Sequence, residues 1–280
     1  MELVKIRTIK DFRENLGREV VRERGLVERL MAETNAHNAS WRVIGFCEIC
    51  GQETRFLKNR PPATFLHTFL YYLVDWKSSD KTVPNYRERL VCERCGLNNR
   101  QRFMGRLIRE FVKDVKGVPD IYIYEQVTPF YEYFKNNMAH ANIVGSEYLG
   151  FDKETGRKYN GVRHEDALSL SFPSGSFDLI ISNDVYEHVP DIEKALSEAC
   201  RVLRQNGKLL CTIPFHANNE KTAKRARLEN GTIHHIVPAQ YHGNPVDRKG
   251  SLVFYDFGWD FLDMCAHAGF GNAYMLAYYS

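Results

Sequence analysis

Residues 177–190, FDLIISNDVYEHVP, constrain the fold more than any other stretch. The apolar run at 179–181 is short and unbroken, with a turn before it and polar residues after it. A run of this kind, without alternation, predicts a strand buried on both faces of a parallel sheet. In open α/β sheets ligands bind outside the carboxyl ends of such strands. Asn183, Asp184, Tyr186, Glu187 and His188 stand where that edge would be. A helix is predicted next, over 191–204. Asp191 can cap it, and Ile192, Leu196, Ala199 and Leu203 line one face. Asn206-Gly207 stops it, and 208–214 (KLLCTIP) reads as a further strand.

The same alternation runs through the second half of the chain. Gly117-Val118-Pro119-Asp120 is a break. Strands are predicted at 121–124, 143–148, 162–165 and 272–279, and helices at 130–138 and 256–269. Strand and helix in alternation predict an α/β domain over 117–280 with helices on both faces of the sheet. Residues 215–255 are too long for an ordinary connection and form an insertion.

Several segments, in order, resemble the small-molecule type of class I S-adenosylmethionine (SAM)-dependent methyltransferases. The first strand ends at Glu125, and the second ends at Glu147 in VGSEYLG, with Tyr148 beside it. Then come RHEDALSLSFPSGSFD, the strand ending at Asn183, and CRVLRQNGKLL. The resemblance implies a Rossmann-like sheet that binds SAM. Glu147 would accept hydrogen bonds from the ribose diol, Asp166 would lie near the adenine amine, and Ala167 would lend backbone groups. One departure stands out. The family carries a glycine-rich loop after the first strand, whereas this chain has YEQVTPFYEYF, with no glycine between Gly117 and Gly145. Without glycine a close backbone approach costs more. Three readings stay open: SAM in an altered pose against Glu125, Gln126 and Thr128; another nucleotide-like ligand, or SAM used without methyl transfer; or a non-catalytic scaffold.

The N-terminal part, 1–116, carries two C-x-x-C-G knuckles, Cys47/Cys50 and Cys92/Cys95. Each turn aims two sulfurs at one point, and the following glycine permits a left-handed backbone. Four thiolates close a tetrahedral site, so the expectation is structural Zn2+ rather than catalytic metal. Redox dithiols are the alternative. Residues 1–40 predict one or two amphipathic helices, with Leu16, Val20, Val21, Leu26, Leu30 and Met31 at roughly helical spacing. They would pack on the next module or act as a homodimerisation arm. Residues 65–76 are apolar and aromatic and fit a helix or a hairpin. Residues 96–115 predict a helix joining the zinc module to the next domain. Its Arg100, Arg102, Arg106 and Arg109 would form a solvated basic face, or else meet an anionic ligand.

The insertion at 215–255 holds His216, His234, His235, Tyr241 and His242, four of the chain's ten histidines among them. In related enzymes insertions here cover the acceptor, so a lid is expected, with YHGNP presenting Tyr241 and His242. Methyl transfer from a sulfonium depends chiefly on positioning. A hydroxyl acceptor gains from a general base. His188 is the first candidate, His235 and His242 the next; a zinc site formed by His234, His235 and His242 is a further alternative. The order of zinc module and methyltransferase domain resembles that of sugar C-methyltransferases, which implies a small-molecule, sugar or glycoconjugate acceptor.

Net charge is +3, from 38 basic and 35 acidic residues, too balanced to call for nucleic acid. The sequence has SNDV where base N-methyltransferases carry an NPPY-type motif. No apolar run reaches the length of a membrane span, and the N-terminus lacks a secretory core. A cytoplasmic enzyme is expected. A SAM- or nucleotide-binding scaffold whose zinc module recruits a partner is the alternative.

Overall fold

The computed structural model describes residues 3–16, 42–57 and 88–278. The chain divides into two compact units, residues 1–13 with 114–279, and residues 14–113. In chain order the first elements are β1 (Leu3–Ile6), α1 (Ile9–Leu16), β2 (Arg42–Cys47), β3 (Gln52–Leu57), β4 (Val91–Cys92) and α2 (Asn99–Asp114). There follow β5 (Asp120–Ile123), α3 (Pro129–Asn137), β6 (Asn142–Gly145), β7 (Lys158–Tyr159), β8 (Val162–Arg163) and β9 (Phe177–Asn183). A single 3-10 turn, Tyr186–His188, precedes α4 (Ile192–Val202) and β10 (Leu203–Thr212). Last come β11 (Ala223–Lys224), β12 (Ala226–Glu229), β13 (Thr232–His235), β14 (Tyr241–His242), β15 (Ser251–Leu252), β16 (Tyr255–Asp256), α5 (Phe261–His267) and β17 (Met275–Tyr278).

The larger unit is built on a parallel sheet of order β10-β9-β5-β6. Tyr122 and Ile180 pair in register and belong to the core on the α4 side. Their neighbours Ile121, Ile123, Leu179 and Ile181 point the opposite way and are equally buried. Both faces are therefore covered, and each such side chain contributes about 1.5–3 kcal/mol. Asp191 caps α4 by accepting the Lys194 N–H at 3.1 Å. Ile192, Ala195, Leu196, Ala199 and Val202 form its buried stripe. Arg204, at the start of β10, bridges Asp120 of β5 (2.7 Å) and Asp178 of β9 (2.5 Å). The chain runs from β5 outward to β6, then crosses back to β9. The topological switch point thus falls between β5 and β9, where ligands of such sheets bind.

Three expectations need correction here. Residues 162–165 are not a full sheet strand: β7 and β8 form a hairpin, and only a parallel bridge between Glu147 and His164 extends the sheet beyond β6. The Asn160-Gly161 turn, both residues at positive φ, favours that hairpin. Residues 3–6 are strand rather than helix, and β1 pairs antiparallel with β17. The last helix is shorter than 256–269, because Tyr255–Asp256 pairs with β11. Val20, Val21, Leu26, Leu30, Met31, the side chain of Leu16 and the stretch 65–76 lie outside the described residues.

In the smaller unit β2, β3 and β4 form an antiparallel sheet. The basic face expected on α2 is not a solvated one. Arg100 and Arg102 are buried. Arg100 is paired with Glu88 at 2.8 Å. Arg102 donates to the carbonyls of Leu90 and Leu97 and to Asn99 Oδ1, and lies over the Phe56 ring at 4.6 Å. Arg106 pairs with Glu110 at 2.7 Å, and Arg109 Nη1 donates to the Glu48 carbonyl at 3.4 Å. Buried guanidinium is tolerated only when paired in this way. Arg100 and Arg102 are therefore internal braces.

Candidate functional site

The four cysteine sulfurs converge. Cys47 Sγ lies 3.9 Å from Cys95 Sγ, and Cys50 Sγ 3.8 Å from Cys92 Sγ. All four lie within 4.8 Å of one another. Disulfides would bring sulfurs to about 2.05 Å. A tetrahedral ion with Zn–S bonds of about 2.3 Å separates them by roughly 3.8 Å. The knuckles are built alike: Gly51 and Gly96 adopt φ of 69° and 72°, and their N–H groups donate to Cys47 O and Cys92 O. The sulfur contact from Cys95 pulls the Cys47 thiol down to about 5, while the same contact pushes Cys95 well up. The donor set and spacing fit a zinc ion.

At the carboxyl edge of the parallel sheet, Glu147 is buried at the tip of β6. Its Oε1 accepts the N–H groups of Gln126 at 2.7 Å and Val127 at 2.9 Å. Burial pushes its carboxyl above the usual range, against the pull of those two donors. Oε2 makes no hydrogen bond to the described residues. Tyr148, next in sequence, is half exposed, its ring 5.4 Å from that of His164. At the switch point Asn183 Nδ2 donates to Glu125 Oε1. Asp166 holds a turn, its Oδ1 accepting the Leu168 N–H at 2.9 Å, and Ala167 packs against the core. The edge thus gathers Glu147, Glu125 and Asn183 at the carboxyl ends of β6, β5 and β9.

The loop after β5 replaces glycine chemistry with internal bonds. Gln126 Oε1 accepts from Arg163 N at 2.8 Å, and its Nε2 donates to Gly161 O at 3.1 Å. Thr128 Oγ1 caps α3 by accepting from Tyr131 N at 3.2 Å. All three side chains expected at the methionine end of SAM, Glu125, Gln126 and Thr128, make hydrogen bonds within the protein. Phe130 is buried. Tyr131 lies so close over Gly145 that a Cβ there would meet its ring at 2.4 Å and Glu125 O at 2.6 Å.

Beyond β9, Asp184 takes φ of 51°, uncommon for a residue with a side chain. Thr212 of β10 holds it: Thr212 O accepts the Asp184 N–H at 3.0 Å, and Thr212 Oγ1 donates to Asp184 Oδ1 at 2.9 Å. This bend starts the 3-10 turn that carries Glu187 and His188. His188 Nδ1 faces Leu252 O at 2.8 Å, so Nδ1 carries the proton and Nε2 is a lone pair. Burial lowers the His188 pKa, with Glu187 and the Leu252 bond opposing. Glu187 Oε1 stands 3.6 Å from His188 Nε2 and 3.4 Å from His242 Nδ1. The His188 and His242 rings meet edge to face, centroids 5.1 Å apart.

The insertion forms three small strand pairs, β11 with β16, β12 with β13 and β14 with β15. Of the sequence candidates, only His242 joins His188. Tyr241 precedes it on β14, so its side chain leaves by the other face and is half exposed. His235 sits on β13 opposite Ala226 and is exposed. His234 faces Glu229 at 4.0 Å, and among the described residues His234, His235 and His242 do not gather round one point. Sequence reasoning gave no role to Glu187, Thr212 or Leu252. The placement of Glu187 in YEHV, a carboxylate between an aromatic and a histidine at a strand end, was the one available signal.

A family model described as "Methyltransferase domain" matches residues 131–211. The match begins within α3, at the end of the glycine-free stretch YEQVTPFYEYF. The chain is 33% identical over 81 residues to phosphoethanolamine N-methyltransferase 2 of Caenorhabditis elegans, covering 29% of this chain and 18% of that protein. It is 51% identical over 45 residues to ubiquinone/menaquinone biosynthesis C-methyltransferase UbiE of Rickettsia massiliae, covering 16% and 18%. The similarity therefore spans about a fifth of the length of these relatives. A solved SAM-dependent methyltransferase from Mesorhizobium loti aligns over 59% of this chain and 79% of its own, at 14% identity and a TM-score of 0.36. No helix of the described residues is long and apolar enough to cross a membrane. Sheet order and family match together give this chain a class I SAM-methyltransferase-like fold, with a cysteine cluster able to hold a metal ion.

Proposed function

We propose that the protein is a SAM-dependent methyltransferase acting on a small-molecule acceptor, with a structural zinc ion in its N-terminal module at 1–116. The observation that carries the reading is Glu147, a buried carboxylate at the tip of β6 with one oxygen uncommitted, beside the switch point of a parallel sheet. SAM, when bound, supplies an electrophilic methyl group on a sulfonium. Glu147 Oε2 accepts the ribose hydroxyls, Asp166 Oδ2 the adenine amine, and Tyr148 lies against the base. Glu125 and Asn183 receive the ammonium and carboxylate of the amino-acid end. His188, neutral near pH 7, takes the acceptor's proton on Nε2, with His242 beside it and Tyr241 and His235 on the rim of the insertion. A sugar or glycoconjugate hydroxyl suits such a base. The cytoplasm is the expected location, and a homodimer the expected assembly.

A second reading has its own support. The side chains of Gln126 and Thr128 are spent on internal bonds, which favours a scaffold that binds SAM or a related nucleotide without transferring a methyl group. Calorimetry with SAM and S-adenosylhomocysteine, on the wild type and Glu147→Ala, tests both. Micromolar binding lost in the variant supports the site. Binding with no transfer to any sugar or phenolic acceptor favours the scaffold, and no binding at all removes both readings.

A further inference from the structure

We propose that Glu187, His188 and His242 form a binding site for a divalent transition-metal ion, zinc foremost, separate from the four cysteines. Three glutamates among the described residues are buried: Glu147, Glu165 and Glu187. Glu147 accepts two backbone N–H groups. Glu165 is fully satisfied, by Arg163 Nε at 2.7 Å, Ser171 Oγ at 2.6 Å and Ser171 N at 2.9 Å. Glu187 is wholly buried, yet neither of its oxygens has a hydrogen bond to the described residues. A buried carboxylate left so is costly, and a cation is the usual remedy.

The surroundings identify the cation. The groups facing Glu187 Oε1 are two imidazole nitrogens, at 3.4 Å and 3.6 Å. Both distances exceed the hydrogen-bond range of about 2.7–3.2 Å. They match the roughly 3.3 Å that separates two ligands of one tetrahedral ion held at about 2.0–2.1 Å. The three ligand atoms lie within 4.8 Å of one another. The Leu252 carbonyl fixes the His188 tautomer that turns the Nε2 lone pair inward, as a carbonyl commonly does behind a metal-bound histidine. The Phe254 N–H donates to Glu187 O at 2.7 Å and anchors the turn. Both imidazoles reach the surface, with side-chain exposures of 17% and 32%, which provides an entry path. Two nitrogens and one oxygen leave positions open for water or substrate, as catalytic rather than structural zinc requires.

What the ion does rests on the methyltransferase reading. An acceptor hydroxyl on an open position would lose its proton more readily, and His188 would act as a ligand rather than a base. The site itself rests only on the three side chains.

The test is reconstitution of the metal-stripped full-length protein with Co2+, read by elemental analysis and optical spectroscopy. Two ions per chain are expected, one with the intense near-ultraviolet thiolate charge-transfer band and one with weak visible bands alone. His242→Ala, on an exposed strand pair, and Glu187→Gln, nearly isosteric, should each remove the second ion, leaving the thiolate band and the far-ultraviolet spectrum unchanged. A wild type whose bound cobalt all carries the thiolate signature overturns the proposal, as does full retention of both ions in both variants. S-adenosylhomocysteine calorimetry on the same samples separates the two readings. A second ion without nucleoside binding keeps the metal site and removes the methyltransferase; nucleoside binding without a second ion does the reverse.

Discussion

Glu147 Oε1 accepts the backbone N–H of Gln126 at 2.7 Å, so the carboxylate expected to meet a ribose also fastens the loop opposite it. One oxygen orders the loop and the other remains for ligand.

Glu147→Gln separates these tasks. The amide oxygen can still accept from Gln126 and Val127, but an amide grips a diol less well than a carboxylate. Binding of S-adenosylhomocysteine should fall at least tenfold. The fold should become more stable, with a sign set by burial. The folded pKa is raised above 4.5, so the stabilisation this group gives is complete below pH 4.5 and is lost as pH rises through the folded value. The melting-temperature advantage of Glu147→Gln should therefore grow from pH 4.5 towards pH 7.

Arg204→Ala cuts the bridge between Asp120 and Asp178 at the amino-terminal edge of the sheet. The bridge is partly exposed, so the loss should be only about 1 kcal/mol. Arg204 first, and the Asn142 amide second, hold the Asp120 carboxyl below 3.8. The contribution is present above that pH and is lost as pH falls through the lower folded value. Urea melts of wild type and variant should differ at pH 6 and converge in strong acid.

Gly250→Ala should displace His242. Gly250 has φ of 81°, and a Cβ there would meet His242 O at 2.4 Å. Left-handed backbone and clash together should cost about 1–3 kcal/mol. The second cobalt ion should be lost along with that stability, while the thiolate band stays.

Chelation tests the cysteine cluster. Without an ion nothing bonds the four sulfurs together, and the small β2-β3-β4 sheet loses its tie to the second knuckle. Hydrogen exchange in 42–57 and 88–98 should rise by orders of magnitude on chelation and fall again when zinc is restored.

Much of this was legible in residue order. The runs at 121–123 and 179–181 announced parallel strands because such strands need apolar side chains on both faces. Asp191 and the spacing of Ile192, Leu196 and Ala199 announced α4, although Leu203, expected on the same face, opens β10 and the helix ends before Asn206-Gly207. Each C-x-x-C-G carried its own turn. The remainder depended on tertiary partners that spacing does not encode. Leu3–Ile6 is a four-residue strand whose partner lies at the far end of the chain. Arg100 and Arg102 read as surface charge because their acceptors are carbonyls and a glutamate supplied by the fold. Glu187 is isolated by what surrounds it, and His235 was indistinguishable in sequence from His242 until the β14–β15 pairing aimed one of them inward.

The pairing of β1 with β17 joins residues 3–6 to 275–278. During synthesis the first strand must therefore wait until residues 275–278 have been made before its hydrogen bonds can form. So distant a closure is entropically costly and intrinsically slow. Deleting either strand should leave the parallel sheet able to assemble early while removing the clasp between residues 3–6 and 275–278.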